Sequence, residues 1–323
     1  MSTPTPAVSI IIPIYNRMEF VGGTLASIVR QTFQDFEVVI IDAGSTEPVP
    51  VVVNEYIADD PRFRLMISPI QLNSAQARNA TLSEVRAPIV AVIDSDDVMV
   101  PHRLERQVQV LAERPDIVAV GGSMSAVDEH GLGWRKGGVT DTGVVPDTPN
   151  RVHWLMPFRA PTLSSTITVR TDVLRAVGGF DEDHPLCDDY GMTWRLTEVG
   201  GFLMLPEIMS TYRIHSKQVS STTPGRQAMQ VALLRRSIMM SRLNRSLDLK
   251  LVIAAAGGPS ADDETSAAAE ALCSELLAWF IEQRRPSEAD EQWARRDYDH
   301  RIQVIRNVAF TRSEPATTLP PSQ

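Results

Sequence analysis

Residues 89–97, IVAVIDSDD, form an apolar run of five residues that ends abruptly in three carboxylates, Asp94, Asp96 and Asp97. An uninterrupted apolar run suits a strand buried on both faces, and such strands belong to parallel sheets covered by helices. Carboxylates crowded at its end repel one another unless something cationic sits among them. Two readings follow. Asp and Ser are ordinary turn and cap residues, and Pro101 suits the first turn of a helix. In the second reading Asp94 and Asp96 hold a divalent metal and the metal holds a phosphate. The position after a buried strand, where open α/β sheets bind ligands, favours the second.

The preceding segments supply the sheet. Val8 to Ile14 is apolar except at Ser9 and stops among Pro13, Tyr15 and Asn16, residues that break or turn a chain. Phe20, Leu25, Ile28 and Val29 then recur at helical spacing, and Phe36 to Ile41 is a β-rich run ending at Asp42, Ala43, Gly44 and Ser45. This is a βαβ unit, and its crossover is right-handed. Helices around Val51 to Ile57 and Ser74 to Val85, with a strand around Phe63 to Ile67 between them, repeat the pattern up to the acidic run. The expected class is α/β, with a mostly parallel central sheet flanked by helices and polar strand ends gathered along one edge. Neither a GxGxxG turn nor a GxxxxGK[ST] loop is present, so the usual dinucleotide and ATP signatures are absent.

After the acidic run, a helix is expected over Pro101 to Ala112 and a strand over Ile117 to Val120. Gly121, Gly122, Gly131, Gly133, Gly137, Gly138 and Gly143 read as loops and short edge strands over the open end of the sheet. Ser165 to Arg170 is strand-like, Thr171 to Ala176 a short helix, and Gly178 to Asp181 a turn. In CDDYGMTWRLTEVG, Met192, Leu196 and Val199 share a helical face, with Asp188 and Asp189 at the amino-terminal end. The helix dipole stabilises acids there, so both are explained as simple caps unless something else recruits them. Strands at Phe202 to Leu205 and Ile208 to Ile214 follow, the second delivering Arg213 and His215. A lone histidine is ordinarily a surface or core residue, so His215 needs support from its neighbours.

From Arg226 the composition shifts to long helical stretches near residues 227–243, 264–282 and 288–308. The expected division is a catalytic domain over 1–225, a helical region over 226–312 and a disordered tail over 313–323. Within the first, residues up to about 120 form a nucleotide-binding half and 121–225 an acceptor and catalytic half. Val231, Leu234 and Ile238 make an apolar stripe beside Arg226, Arg235, Arg236, Arg242 and Arg245. Packing on a core is the plain reading; peripheral contact with an anionic membrane, or a homodimer through these helices, is the sharper one.

With 40 acidic and 31 basic residues the net charge is -9, which argues against a nucleic-acid partner held by phosphate contacts. Two cysteines, Cys187 and Cys273, are too few for a disulfide framework or a zinc cluster and suit a reducing compartment. The first residues lack a secretory pattern, and no stretch approaches the ~20 apolar residues of a membrane helix. A cytoplasmic location is therefore expected, with any membrane contact peripheral and at the inner face.

Taken in order, VSIIIPIYNR, QTFQDFEVVIIDAGST, NSAQARNATL, IVAVIDSDD, VGGFDE, DDYGMTWRL and YRIHS resemble the family 2 glycosyltransferases, inverting enzymes of the GT-A fold. The resemblance covers roughly residues 7 to 220 and leaves the helical tail uncovered. It implies a nucleotide-diphosphate sugar as donor, a UDP-sugar first, and a glycan or lipid-linked acceptor in bacterial surface polysaccharide synthesis. Pro13, Tyr15 and Asn16 match positions lining the nucleoside pocket, and Arg78 and Asn79 a segment flanking the nucleotide. Asp94, Ser95 and Asp96 match the DxD element. Asp96 is then the direct ligand of a divalent Mn or Mg, with Asp94 nearer the ribose or a metal-bound water. His215 matches a position that completes the metal or diphosphate site, Asp189 matches the catalytic base, and Asp97 is expected only to begin the next helix.

Two departures from the family pattern stand out. Asp188 replaces the usual glutamate before the base. Ala43 replaces the second acid after strand two, which often meets the N3 proton of uracil, so Asp42 is left to reach the base and thymidine or guanosine donors stay open. Two other functions fit parts of the sequence. A non-catalytic nucleotide-sugar-binding or assembly protein of the same fold gains from Ala43, whereas a sugar-phosphate nucleotidyltransferase loses from the lack of a glycine-rich, basic triphosphate loop near the first strand.

Overall fold

The computed structural model describes residues 5–57, 60–133 and 145–313. Its first four strands alternate with helices: β1 (Val8–Ile14), α1 (Met18–Val29), β2 (Phe36–Asp42), α2 (Val49–Ile57), β3 (Phe63–Ile67), α3 (Ser74–Glu84) and β4 (Ile89–Val92). Every residue of β2 is buried, as an apolar run sandwiched between helices must be. The four strands run parallel in the order β3-β2-β1-β4. Their carboxyl ends therefore share one edge, and the turns after β1, β2 and β4 meet there.

The chain continues through β5 (Val98–Met99), α4 (Arg103–Glu113), β6 (Ile117–Asp128), α5 (Pro149–Leu155), a single 3-10 turn (Ser164–Thr166), β7 (Thr168–Arg170), α6 (Thr171–Ala176), α7 (Asp188–Val199) and β8 (Gly201–Ile214). The whole sheet reads β3-β2-β1-β4-β7-β6-β8-β5. β7 is antiparallel to both neighbours, β6 and β8 run parallel, and β5 pairs antiparallel on β8. The sheet is thus parallel in its nucleotide half and mixed beyond it.

The glycine-rich stretch differs from the loop expected there. β6 runs on to Asp128, paired along its length with β8. Gly121 and Gly122 lie inside it because neighbouring methionines cross their faces: a Cβ at Gly121 would fall 2.5 Å from Met204 Sδ, and one at Gly122 2.2 Å from Met209 Cγ. These glycines make room for packing and do not turn the chain. The pair of strands expected over 202–214 is one strand whose register slips opposite Gly122 and Ser123. Gly137, Gly138 and Gly143 lie outside the described residues.

A buried cation ties these elements together. Arg103, fully enclosed, donates from Nη1 to Ser165 O and from Nη2 to Val92 O at 2.9 Å and Ile167 O at 3.0 Å. Its burial pulls the guanidinium pKa down to about 9 against the opposing pull of Asp97. The three carbonyls converge on one guanidinium, and two of them have a second donor: Ser165 O accepts from Ser210 Oγ and Ile167 O from Val92 N.

Contacts divide the chain into two compact units, residues 1–153 with 160–227, and residues 154–159 with 228–323. Helices α8 (Val219–Thr222), α9 (Pro224–Leu243), α10 (Leu249–Ala255), α11 (Asp263–Arg284) and α12 (Glu288–Ser313) complete the chain. The second unit has its own core, in which Trp154, Leu155 and Phe158 pack with residues of these helices such as Leu276, Phe280 and Ile305. Trp154 Nε1 donates to Asp297 Oδ2 at 2.8 Å. In the stripe of Val231, Leu234 and Ile238 the last two are wholly buried, and buried Arg242 lies over the Trp279 ring. No described helix is long and apolar enough to cross a membrane. Of the tail expected to be disordered over 313–323, Ser313 is the last residue of α12, and residues 314–323 lie outside the described residues.

Trp154→Ala removes a fully enclosed indole and its hydrogen bond to Asp297, which keeps only the Arg301 guanidinium among the donors described. Urea unfolding should show a loss of about 3–5 kcal/mol; a loss below about 1 kcal/mol would contradict the placement of residues 154–159 in this core.

Candidate functional site

Five carboxylates converge at the carboxyl edge of the sheet: Asp94, Asp96 and Asp97 after β4, and Asp188 and Asp189 at the start of α7. Arg78, from the α3 helix that the Asn73–Gln76 capping box starts, reaches between the two groups. Its Nη1 donates to Asp188 Oδ2 at 2.6 Å, and its Nη2 to Asp94 Oδ1 and to Ser164 Oγ at 3.2 Å. Burial alone would make the guanidinium easier to deprotonate, but Asp188, Asp94 and Asp189 outweigh it and hold the charge firmly in place. Ser164 closes the ring, donating from Oγ to Asp94 Oδ2 at 2.9 Å and from its backbone N–H to Asp189 Oδ2 at 3.0 Å.

Asp189 is half-buried, and its carboxyl is pushed up to about 6, by desolvation first and by the charge of Asp188 second, with Arg78 opposing. Asp188 is also raised, again chiefly by burial. Asp189 is therefore ionised at neutral pH but more basic than a surface aspartate. Ser74 Oγ also approaches Asp188 Oδ2, at 3.4 Å.

On the other side of the edge, His215 Nε2 lies 3.0 Å from Asp96 Oδ2, and Phe20 stacks on the imidazole with centroids 4.6 Å apart. Arg17 Nε comes within 3.4 Å of the same carboxylate oxygen. His215 Nδ1 is buried and has no hydrogen-bond partner among the described residues. With Nε2 protonated toward Asp96, that nitrogen carries a free lone pair. No group of three or more metal-binding side chains occurs among the described residues. A carboxylate and an imidazole nonetheless fit a Mg or Mn ion whose remaining ligands are substrate phosphates and waters, the usual mode for such ions.

Asp97 corrects an expectation. It begins no helix, since α4 starts only at Arg103. Instead it is buried, accepts the Arg213 backbone N–H at 3.0 Å, and has its carboxyl pushed well up by burial and then by Asp96 and Asp94. The tight turn after β4 and the pairing of β5 on β8 bring it inside.

The remaining expected residues divide. Tyr15 packs against the small cluster of Ile41, Ala43 and Ala77, with Met66 and Leu72 nearby, so the Ala43 position is apolar surroundings for Tyr15. Pro13 sits in β1 opposite Ile41. Asn16, in the left-handed region at φ 51°, accepts from Thr46 N at 2.9 Å, and its own N–H donates to Ser45 Oγ. Asp42 Oδ1 accepts the Ser45 N–H at 2.8 Å, so Asn16 and Asp42 shape the loop after β2. Ser95 is buried, and its carbonyl accepts from Thr24 Oγ1. Asn79 binds the VGGFDE segment, accepting from Phe180 N and donating to Phe180 O and Glu182 Oε1. Arg78 is committed to two carboxylates. Sequence reading missed Ser164 and Arg17; Arg17 follows PIYN directly, but nothing local to either residue signals its partners.

Comparisons with known proteins agree on one family. Residues 9–173, more than half the chain, match the family model of Glycosyl transferase family 2. An amylovoran biosynthesis glycosyltransferase, AmsE of Erwinia amylovora, is 26% identical over 218 residues, covering 66% of this chain and 78% of that protein. Among solved structures, S. aureus TarS residues 1–349 in complex with UDP-GlcNAc superposes with a TM-score of 0.61 at 17% identity, covering 94% of this chain and 91% of that one. A mannosyltransferase from Pyrobaculum calidifontis in complex with GDP-Man and Mn2+ gives 0.58 at 18% identity, covering 97% and 89%. The two structural likenesses show a shared GT-A fold with C-terminal helices.

Arg78→Met would leave Asp94 and Asp188 facing each other without their cation. The expected loss is about 3–5 kcal/mol at pH 8 by urea unfolding. The loss should shrink toward pH 5. Without Arg78 the folded-state pKa of Asp188 rises further above its unfolded value, so the variant takes up protons on folding and regains stability as pH falls. A pH-independent loss would show that charge compensation is not what Arg78 provides.

Proposed function

Because the chain belongs to glycosyl transferase family 2, we propose that it moves a sugar, with inversion, from a nucleotide diphosphate donor to a glycan or lipid-linked acceptor. The observation that carries this reading is the single guanidinium of Arg78 joining Asp94, on the expected donor side, to Asp188, beside the expected base. Bacterial surface polysaccharide synthesis is the setting, a reading supported by the amylovoran relative. A UDP-sugar is the first choice of donor, supported by the UDP-GlcNAc complex of TarS; the GDP-Man complex of the other neighbour keeps guanosine in the test.

Asp189 acts as general base. Its carboxylate is held by the Ser164 and Tyr190 backbone N–H groups, and its raised pKa gives it the basicity to take a proton from an acceptor hydroxyl as the new bond forms. One attack on one carbon from the face opposite the leaving group inverts the anomeric centre. Asp188, fixed by Arg78, keeps Asp189 basic through its negative charge. Tyr15 and the apolar cluster around Ala43 pack the nucleobase, and Asp94 orients the ribose side. Asp96 and His215 would hold a divalent cation, which supplies positive charge to the departing diphosphate.

Asp189→Asn should lower transfer on the order of 10³-fold, with donor affinity within about twofold of wild type. In the wild type, kcat/KM should rise with pH through about 6 and then level, because only the ionised carboxylate accepts the proton. Near wild-type transfer by Asp189→Asn would remove it as base. Donor binding without turnover over a broad acceptor panel would point to a binding protein instead, and product from a nucleoside triphosphate with a sugar phosphate to a nucleotidyltransferase.

Asp96→Ala should cut Mn²⁺-dependent donor binding by about tenfold or more in calorimetric titration. Binding unaffected by both this change and a chelator would refute the metal assignment.

A further inference from the structure

Arg17 is placed to do more than close a loop. Its Nη1 donates to Asn16 O at 3.0 Å and Tyr15 O at 3.4 Å, and its Nη2 to Lys217 O at 2.6 Å. These carbonyls lie in the turn after β1 and in the segment after β8, so the guanidinium is tethered to both. Its Nε then faces Asp96 Oδ2 at 3.4 Å, and Arg17 and Asp96 retain side-chain exposures of 15% and 17%. The two groups are screened but still reachable from solvent. His215 Nε2 shares that same oxygen at 3.0 Å.

Asp96 thus already has a cation beside it. A guanidinium and a divalent metal cannot both take the full charge of one carboxylate oxygen, so they compete for it. The competition ends when a second anion arrives. A diphosphate offers oxygens to the metal and to Arg17 together, and guanidinium geometry matches phosphate oxygens well. Of the five N–H donors of Arg17, Nε and the second Nη2 hydrogen are not committed to carbonyls. A small turn of the plane aims both at a bound diphosphate while the metal takes Asp96.

We infer that Arg17 is a diphosphate-binding residue that occupies Asp96 until the donor arrives, so that metal and nucleotide bind cooperatively. The inference rests on the proposed function, because the diphosphate is the donor's. Lys217, the other cation beside Arg17, is committed to Glu19 through Nζ at 2.9 Å and does not replace it. Arg213 is committed likewise: its Nε donates to the Asp96 carbonyl and its Nη1 to Glu129 O, leaving the Asp96 carboxylate to Arg17 and His215.

The test is calorimetric titration of the full chain with Mn²⁺ alone, with UDP, dTDP and GDP in chelator, and with Mn²⁺ and nucleotide together. Arg17→Gln should bind Mn²⁺ alone about tenfold more tightly than wild type, and the preferred nucleotide in chelator about tenfold more weakly. Arg17→Lys keeps the charge, so its affinity for Mn²⁺ alone should stay within about twofold of wild type. That pattern separates charge competition from mere loss of the Lys217 carbonyl contact, which would affect both variants alike. If either affinity is unchanged in Arg17→Gln, or if both variants shift together, the assignment is overturned. A wild type that binds none of the three nucleotides sinks the proposed function, and this assignment with it; a wild type that binds one, with a failed variant pattern, overturns this assignment alone.

Discussion

The site depends on keeping five carboxylates together without letting them push the fold apart. Arg78 does most of this. A buried guanidinium between two buried or half-buried acids is costly to assemble, and removing one member leaves the others uncompensated. Ser164 satisfies two further oxygens, with one hydroxyl and one backbone N–H directed at Asp94 and Asp189, acids from different parts of the chain. The result couples the end of β4 to the start of α7, segments almost a hundred residues apart, through one side chain.

Arg103 solves a related problem from inside the sheet. Around the acidic turn the carbonyls of Val92, Ser165 and Ile167 converge, beside the short β7 and the 3-10 turn before it. One guanidinium collects several of those carbonyls and lies close enough to Asp97 to feel its charge. The acids at the surface of the cleft are therefore supported by a polar layer beneath them. Arg17 and His215 complete the arrangement on the Asp96 side, where the charge stays reachable.

The parallel half of the fold was legible because its signals are local. Buried strands are continuous apolar runs, helices carry their stripe, and the strand ends announce themselves as Asp42, Asp94 or Asn16. The glycine-rich stretch was misread for a physical reason. Glycine marks a turn when it supplies a positive φ, as at Gly131, but it also marks a place where a neighbour's side chain must pass, as Met204 and Met209 pass Gly121 and Gly122. Sequence alone does not separate the two. Asp97 was misread similarly, since an aspartate before a helix looks like a cap until tertiary pairing buries it. Residues 154–159 gave no sign that they belong with the C-terminal helices.

By itself the sequence determined the α/β class, the family resemblance and which acids gather at the strand ends, because apolar periodicity and turn chemistry act over a few residues. Only the tertiary structure decided which cation faces which acid. Arg78 bridging Asp94 to Asp188, Ser164 holding Asp189, and Arg17 and His215 meeting at Asp96 are contacts between residues 16 to 119 positions apart. Ion pairing and desolvation depend on distance and burial, and both are properties of the folded chain.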